Sequence, residues 1–221
     1  MSASGRMGLL GGTFDPIHYG HLDIADAARR HLALDGVTFI PSHDPPHRLD
    51  PHASVFHRFA LVALAVAGRP GFAVSDAELT REGPSFTVDT LRRMHLEGWG
   101  PAQLFFIIGT DAFAEIATWR EYPAVLDMAH FVVVTRPGTT LDAAMARVPE
   151  LRARARHSHE PASHIGSTSL LLVEAATRDV SSTMVRARLQ KDEAIDDLVP
   201  PAVARHIEEN HLYGAVDELH G

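Results

Sequence analysis

Two histidines flank a glycine at the point where the first apolar run of the chain gives way to a helix-like pattern. The segment reads Gly11-Gly12-Thr13-Phe14-Asp15-Pro16-Ile17-His18-Tyr19-Gly20-His21. Paired glycines allow a tight turn and let a ligand approach the backbone closely. The N–H groups and the dipole at a helix start favour an anion, and imidazole N–H groups can donate hydrogen bonds to phosphate oxygens. This spacing therefore predicts phosphate binding by His18 and His21.

A second segment, rich in hydroxyl groups, lies near the other end of the chain and also precedes a helix-like pattern. It reads Ser181-Ser182-Thr183-Met184-Val185-Arg186. Ser or Thr ahead of a helix is a common N-cap, and capping alone would account for these hydroxyl groups. With Arg186 one turn into the helix, the same segment would also form a second phosphate-binding helix start. Both interpretations are open from the residues alone.

Strand-like and helix-like patterns alternate around these two motifs. Apolar runs predict strands at 7–10, 37–40, 72–75, 104–108, 131–135 and 170–173. Helical spacing predicts helices at 20–34, 55–67 (with Arg58 on its polar side), 87–97, 111–127 (interrupted at Pro123), 183–190 and 202–209. Such alternation predicts an α/β fold, a doubly wound, Rossmann-like parallel sheet with helices on both faces and a small C-terminal helical portion. We expect a single domain over 1–221, with closing helices from about 183 onward and a polar, variable excursion at 141–164.

Composition excludes several classes of function. The 20 basic and 28 acidic side chains give a formal charge of −8, which argues against a duplex nucleic-acid partner because such proteins normally present a basic face. The longest apolar run, 59–67, is far shorter than the roughly 20 residues of a membrane-spanning helix. The absence of cysteine excludes disulfides, thiolate metal ligands and a cysteine nucleophile. With no signal-peptide pattern at the first residues, these features favour a cytoplasmic protein without nucleic-acid or membrane partners.

The two motifs together resemble the signatures of the HxGH nucleotidyltransferases. The first signature corresponds to His18-Tyr19-Gly20-His21, and the SSTxxR signature corresponds to 181–186. The resemblance implies that His18, His21 and Arg186 bind the ATP phosphates and act in catalysis, and that Mg²⁺ is bound through those phosphates. It further implies ATP contacts at Gly11, Gly12, Thr13, Phe14, Gly20, Gly109, Asp111, Ser181, Ser182 and Thr183.

The segments between the motifs are similar to those of the bacterial nicotinate-nucleotide adenylyltransferases within this superfamily. The similar segments are Pro41–Arg48 (PSHDPPHR), Pro84–Leu91 (PSFTVDTL), Ile107–Asp111 (IIGTD) followed by Trp119, and Thr135–Gly138 (TRPG). The resemblance implies adenylyl transfer from ATP to nicotinate mononucleotide as part of NAD biosynthesis. The acceptor contacts that it implies are Arg48, Phe86, Thr87, Trp119, Arg120 and Arg136.

Three of these residues have two interpretations each. Trp119 offers an aromatic face for a pyridine ring, or it seals a helix against the core. Asp111 follows a strand end, where its carboxylate would accept hydrogen bonds from a ribose hydroxyl or cap the next helix. Arg120 stands where many relatives carry an aromatic or amide residue. It pairs with the nicotinate carboxylate if it faces the site and is a solvated charge if it points outward.

Other functions remain as alternatives. The same chemistry on nicotinamide mononucleotide or another phosphorylated acceptor would use the same motifs. A non-catalytic nucleotide sensor would keep the fold and lose a phosphate donor. A metallohydrolase would hold zinc with His18, His21, His43 and His47, although no acidic ligand completes that set. The sequence leaves open whether the chain forms a homo-oligomer.

Overall fold

Every strand in the described part of the chain belongs to one parallel sheet. The computed structural model describes residues 5–44, 51–79, 83–135, 142, 145–157 and 168–214. The strands are β1 (Met7–Gly12), β2 (Gly36–Pro41), β3 (Phe72–Val74), β4 (Leu104–Gly109), β5 (His130–Val134), β6 (Ala155–His157) and β7 (Leu170–Val173). Their order across the sheet is β3-β2-β1-β4-β5-β7-β6, and all neighbouring pairs are parallel.

Six helices connect or follow these strands. They are α1 (Tyr19–His31), α2 (Val55–Val66), α3 (Thr87–Leu96), α4 (Thr110–Ala114), α5 (Ser182–Leu189) and α6 (Pro201–Glu209) in the described residues. The 3₁₀ helices are Pro101–Gln103, Ile116–Thr118, Ala124–Asp127 and Pro149–Arg154. No described helix is long and apolar enough to cross a bilayer.

The strand residues alternate between two hydrophobic cores, one on each face of the sheet. Along β4, Phe105 and Ile107 pack with α1, α2, α5 and α6, whereas Phe106 and Ile108 pack with α3, α4 and the 3₁₀ turns. Because successive strand side chains point to opposite faces, a strand that is apolar throughout has to be covered on both. The predicted fold class, a Rossmann-like parallel sheet with helices on both faces, is confirmed.

The strand order reverses next to β1. This places the carboxyl end of β1, at Gly12, beside the carboxyl end of β4, at Gly109. The chain builds outward from β1 to β2 and β3 on one side, and β4 begins the other side. In an open parallel sheet, ligands bind at the carboxyl ends of the strands that flank such a switch point. The carboxyl ends of β1 and β4 lead into α1 and α4. The site is therefore expected at this edge.

Two predicted segments differ from the structure. The helix predicted at 111–127 is only α4, followed by two 3₁₀ turns, because Trp119 is extended (φ −71°, ψ 146°) and Glu121 has φ 61° ahead of Pro123. The excursion predicted at 141–164 contains the short 3₁₀ helix Pro149–Arg154 and β6 in its described part. β6 has three residues with a polar centre, too short for a strand pattern to be visible, and its hydrogen bonds to β7 define it.

Candidate active site

The two histidines of the first motif lie face to face at the start of α1. His18 is the N-cap with an extended backbone (φ −147°, ψ 171°), and its N–H donates to Nδ1 of His21 at 3.3 Å. The two rings stack with centroids 3.7 Å apart and planes inclined by 30°. Phe14 supports His21 from the side, edge to face at 5.0 Å between ring centroids. The fold therefore presents the two imidazoles as one unit.

His18 is buried in the folded protein, although it belongs to a motif that is expected to bind a ligand. The His18 side chain is 1% exposed, whereas His21 is half-buried. The ring of Phe14, 2% exposed, packs on Phe39, so a contact of this residue with ATP would use its backbone. Any substitution of His18 will therefore disturb packing as well as chemistry.

Position 20 requires glycine because neighbouring atoms lie close to its Cα atom, and not because its backbone is left-handed. A Cβ atom at this position would lie 3.1 Å from Cε1 and Nδ1 of His18 and 3.2 Å from the carbonyl oxygen of Val180. The absence of a side chain thus lets the His18 ring fold back over α1 while the segment before α5 packs on the other side. This segment brings the second motif against the first.

The start of α5 is joined to the first motif by direct hydrogen bonds. Ser181 caps the helix, because its Oγ accepts the N–H of Met184 at 3.1 Å. Ser182 Oγ donates to the carbonyl oxygen of Pro16 at 2.9 Å, and Nη1 of Arg186 donates to that of Asp15 at 2.5 Å. Ser181 is therefore an N-cap, as one interpretation of the motif expected. Ser182 and Arg186 have a different role, because they bind the start of α5 to the first motif. The positive ends of α1 and α5 and the Arg186 guanidinium converge at one place, which favours an anion.

A buried arginine joins the loops that follow β1 and β2. Arg58 is 1% exposed, and its guanidinium donates to the carbonyl oxygens of Thr13 (2.8 Å), Ser42 (2.7 Å), His43 (3.0 Å) and Ala53 (3.3 Å). Burial lowers the pKa of this guanidinium. The prediction that Arg58 lies on the polar side of its helix was wrong.

Asp15 holds the same region from the other side. Its carboxylate accepts the N–H of His52 at 2.8 Å, the N–H of Ala53 at 3.1 Å and the hydroxyl of Tyr213 at 2.9 Å. Burial, followed by the charge of Asp15, raises the pKa of Tyr213 well above its ordinary value, so the phenol remains a donor. Sequence reasoning assigned no role to Asp15, Arg58 or Tyr213.

One signal for Arg58 was present in the sequence. The buried positions of α2 are Arg58, Leu61, Val62, Ala65 and Val66. Residues three and four apart share a helix face, so Arg58 lies on the apolar face and not opposite to it. An arginine on such a face requires buried acceptors.

The segments assigned to the acceptor also meet in the structure. The N–H of His43 donates to Ser85 Oγ at 2.9 Å, and the N–H of Ser85 donates to the carbonyl oxygen of Asp44 at 2.8 Å. The loop after β2 is thus paired with the segment before α3. Phe86 is the N-cap of α3, with Thr87 as the first helical residue. The first N–H groups of a helix have no partner within it, so this helix start can donate to a ligand.

Trp119 and Arg120 lie beside that helix start. The half-buried Trp119 ring meets Phe106 and Phe131 edge to face, at 6.1 and 6.2 Å between centroids, so it seals the core on one side. The Arg120 guanidinium lies 4.8 Å from the ring centroid of Phe86. It is also 3.6 Å from the Asp89 carboxylate, with half of its side chain exposed.

Asp111 lies in the first turn of α4, whose N-cap is Gly109. Its exposed carboxylate is therefore not the cap and stays available at the carboxyl end of β4. Arg48, Arg136 and His47 lie outside the described residues. Among the residues that are described, no group of three or more His, Asp or Glu side chains is arranged to hold a metal ion.

Known proteins resemble this chain over nearly its whole length. The model of the cytidylyltransferase-like family matches residues 9–188. A protein of Moorella thermoacetica named "probable nicotinate-nucleotide adenylyltransferase" is 41% identical over 95% of this chain and 92% of its own. A protein of the same name from Escherichia coli is 38% identical over 93% of this chain and 97% of its own.

Solved structures share the fold at low sequence identity. The nicotinic acid mononucleotide adenylyltransferase of Plasmodium falciparum, in complex with NaAD, aligns with a TM-score of 0.70 and 16% identity over 95% of this chain and 97% of that one. With this fold, the paired motifs at its switch point and relatives of about 40% identity, the family expected from the sequence is confirmed. The chain belongs to the cytidylyltransferase-like family and, within it, to the nicotinate-nucleotide adenylyltransferases.

Proposed function

We propose that this chain transfers the adenylyl group of ATP to nicotinate mononucleotide, giving nicotinate adenine dinucleotide and pyrophosphate, with His18, His21 and Arg186 as its phosphate-binding catalytic residues. The observation that carries the assignment of these residues is the junction of the two motifs. The start of α5 is bonded to the loop before α1 through Ser182 and Arg186. A triphosphate is a suitable ligand for this place, because two helix N-termini, two imidazoles and a guanidinium meet near the carboxyl end of β1.

The reaction needs no general base from the protein. The second pKa of a phosphate monoester is near 6, so the acceptor is already mostly a dianion at neutral pH. Its oxygen attacks the α-phosphorus in line, the bond to the bridging oxygen breaks, and pyrophosphate leaves. The barrier arises from repulsion between anions and from charge on the leaving group, so the enzyme acts through position and fixed donors. His18, His21 and Arg186 supply such donors.

Magnesium fits this proposal as an ion carried by the ATP phosphates. Mg²⁺ keeps several waters and is commonly held by substrate phosphates with one or two carboxylates, and it would supply charge neutralisation there. The carboxylate of Asp15 already accepts three hydrogen bonds, and Asp111 is exposed near the end of β4. Of these two carboxylates, Asp111 is therefore the one that is open to such an ion or its water.

Acceptor choice is proposed to depend on the start of α3. Helix N–H groups near Phe86 and Thr87 donate to a carboxylate, but they would face the NH₂ donor of an amide. An unsatisfied buried group of this kind costs about 1–3 kcal/mol. One or two mismatches would give a roughly ten- to several-thousand-fold preference for the acid. Arg120, whose guanidinium lies over Phe86, adds positive charge beside this helix start.

A pyrophosphate-release assay tests the proposal directly. ATP is held at saturation while nicotinate mononucleotide, nicotinamide mononucleotide and other phosphorylated acceptors are compared by kcat/KM. We expect kcat/KM to be higher for nicotinate mononucleotide than for nicotinamide mononucleotide. The Arg120→Ala variant should show a smaller ratio between these two values. A preference for the amide would reject the acceptor assignment and leave adenylyl transfer standing. Pyrophosphate release with none of the acceptors would reject the reaction.

A further inference from the structure

The segment between β2 and α2 is fastened to the first motif at both of its described ends. At the near end, Arg58 bonds the carbonyl oxygens of Ser42 and His43 and, with the same guanidinium, that of Thr13. At the far end, 52–53, two backbone N–H groups donate to the carboxylate of Asp15. We call Arg58 and Asp15 the loop clamp.

The chemistry of the clamp is suited to fixing distances. A guanidinium carries five N–H donors in a rigid plane, so it can hold several carbonyl groups at set positions. Lysine has three donors on one atom and cannot span the same set. Asp15 is 6% exposed, and its carboxylate accepts three hydrogen bonds, one of them from the hydroxyl of Tyr213. Buried charges persist only when they are satisfied in this way.

The clamp also connects the two halves of the proposed site. Thr13 and Asp15 belong to the motif that is assigned to ATP. In addition, the carbonyl oxygen of Asp15 accepts a hydrogen bond from Arg186. His43 is paired with the segment before α3, which is assigned to the acceptor. Any shift at Arg58 or Asp15 therefore changes the position of one substrate's loop relative to that of the other.

We propose that Arg58 and Asp15 are positioning residues that hold the acceptor-side loop in register with the ATP-side motif, so that they act on the rate of transfer more than on the binding of either substrate. This inference rests on the proposed function. A misplacement of about 1 Å between reacting groups can lower a rate by roughly 10²-fold. The effect should consequently fall on kcat.

The central test compares Arg58→Lys with a matched control, Arg154→Lys. Arg154 also bridges separate segments, through Leu126 O (3.1 Å), Asp127 Oδ1 (2.7 Å) and Thr168 Oγ1 (3.2 Å), but at the amino ends of β5 and β7. Measured per folded molecule, kcat of Arg58→Lys should fall by roughly 10- to 100-fold while KM for ATP changes by less than about threefold. Arg154→Lys should keep the wild-type kcat.

Two further variants keep the test decisive if Arg58→Lys folds poorly. Tyr213→Phe retains the ring and removes only the hydroxyl donor to Asp15, and Asp15→Asn replaces a charged acceptor. Both should lower kcat with little change in KM for ATP. Because they act on the same segment, the combination of Tyr213→Phe with Arg58→Lys should lower kcat by less than the product of the single effects.

Hydrogen exchange separates failure of the clamp from failure of the proposed function. In the variants, the amides of 42–44 and 52–53 should exchange faster than in the wild type, whether or not the protein turns over nicotinate mononucleotide. Wild-type kcat in the folded fraction of Arg58→Lys and Tyr213→Phe, or unchanged exchange at these amides, would overturn the inference. If the wild type releases no pyrophosphate, the function fails, and the exchange measurement alone decides on the clamp.

Discussion

An alanine at Gly20 would test how tightly the first motif is packed. Its Cβ atom would lie 3.1 Å from the ring of His18 and 3.2 Å from the carbonyl oxygen of Val180. Non-bonded contacts of a Cβ atom are ordinarily longer than this, so the ring, the carbonyl or both have to move by a few tenths of an ångström. The ring cannot retreat freely, because it is stacked on His21 at 3.7 Å between centroids.

The stability and the activity of Gly20→Ala should respond differently. Alanine in place of glycine favours a helix by up to about 1 kcal/mol, whereas overpacking costs about 1–3 kcal/mol. These opposed terms leave a net loss of about 0–3 kcal/mol, which a protein of ordinary stability tolerates. A rate falls by roughly 10²-fold for about 1 Å of misplacement, so a shift of half that size should lower kcat by about tenfold.

Steady-state kinetics with ATP and nicotinate mononucleotide, combined with thermal unfolding, would measure both effects. Gly100→Ala is the matched control. Its Cβ would lie 3.3 Å from Oε1 of Gln103. This contact is with the end of a side chain, and it lies before the amino end of β4, whereas the site lies at the carboxyl ends of the strands. A Gly20→Ala protein with wild-type kcat would refute the reasoning that the His18 ring has to keep its position. A Gly100→Ala protein that loses activity equally would show that the assay reports general damage.

The remaining predictions concern single side chains. His21→Ala should lower kcat by roughly 10²- to 10³-fold, and His18→Ala should also lower Tm because its side chain is 1% exposed; equal Tm values for the two variants would contradict this. Arg186→Ala should raise KM for ATP or lower kcat, whereas Ser181→Ala should mainly destabilise, by about 0.5–2 kcal/mol as measured by urea unfolding. Burial lowers the pKa of His130 to about 4, so only the unfolded chain gains a proton as the pH falls below about 6.5. The free energy of unfolding should then decrease by up to about 3 kcal/mol between pH 6.5 and 4, and His130→Gln should remove this part of the pH dependence.

Much of the fold could be predicted because its signals are local. Strands such as β4, with Phe105, Phe106 and Ile107, are apolar on both faces, and that property alone indicates a sheet covered on both sides. The turn after Ala114 could not be predicted in the same way. The residues that follow have the composition of a helix, and the positive φ of Glu121 is not visible in the residue types.

The site shows the same division between local and distant information. The positions of His18 and His21 could be predicted, because a helix start and two imidazoles are neighbours in sequence. The contact of Ser182 and Arg186 with this loop could be expected only from the resemblance. The partners of Asp15 could not be predicted, since its hydrogen bonds reach residues 37, 38 and 198 positions away. Long-range pairing of polar groups leaves no periodic trace in a sequence.

The bond between Asp15 and Tyr213 has a consequence for how the protein is made. Its two partners are separated by 198 positions. At roughly 5–20 residues per second, a ribosome needs about 10–40 s to pass from one to the other. During that interval the nascent chain carries the first motif without its phenolic partner. The Asp15 carboxylate therefore obtains its full set of donors only after residue 213 has been synthesised, so the folding of the first motif depends on the turn that follows α6.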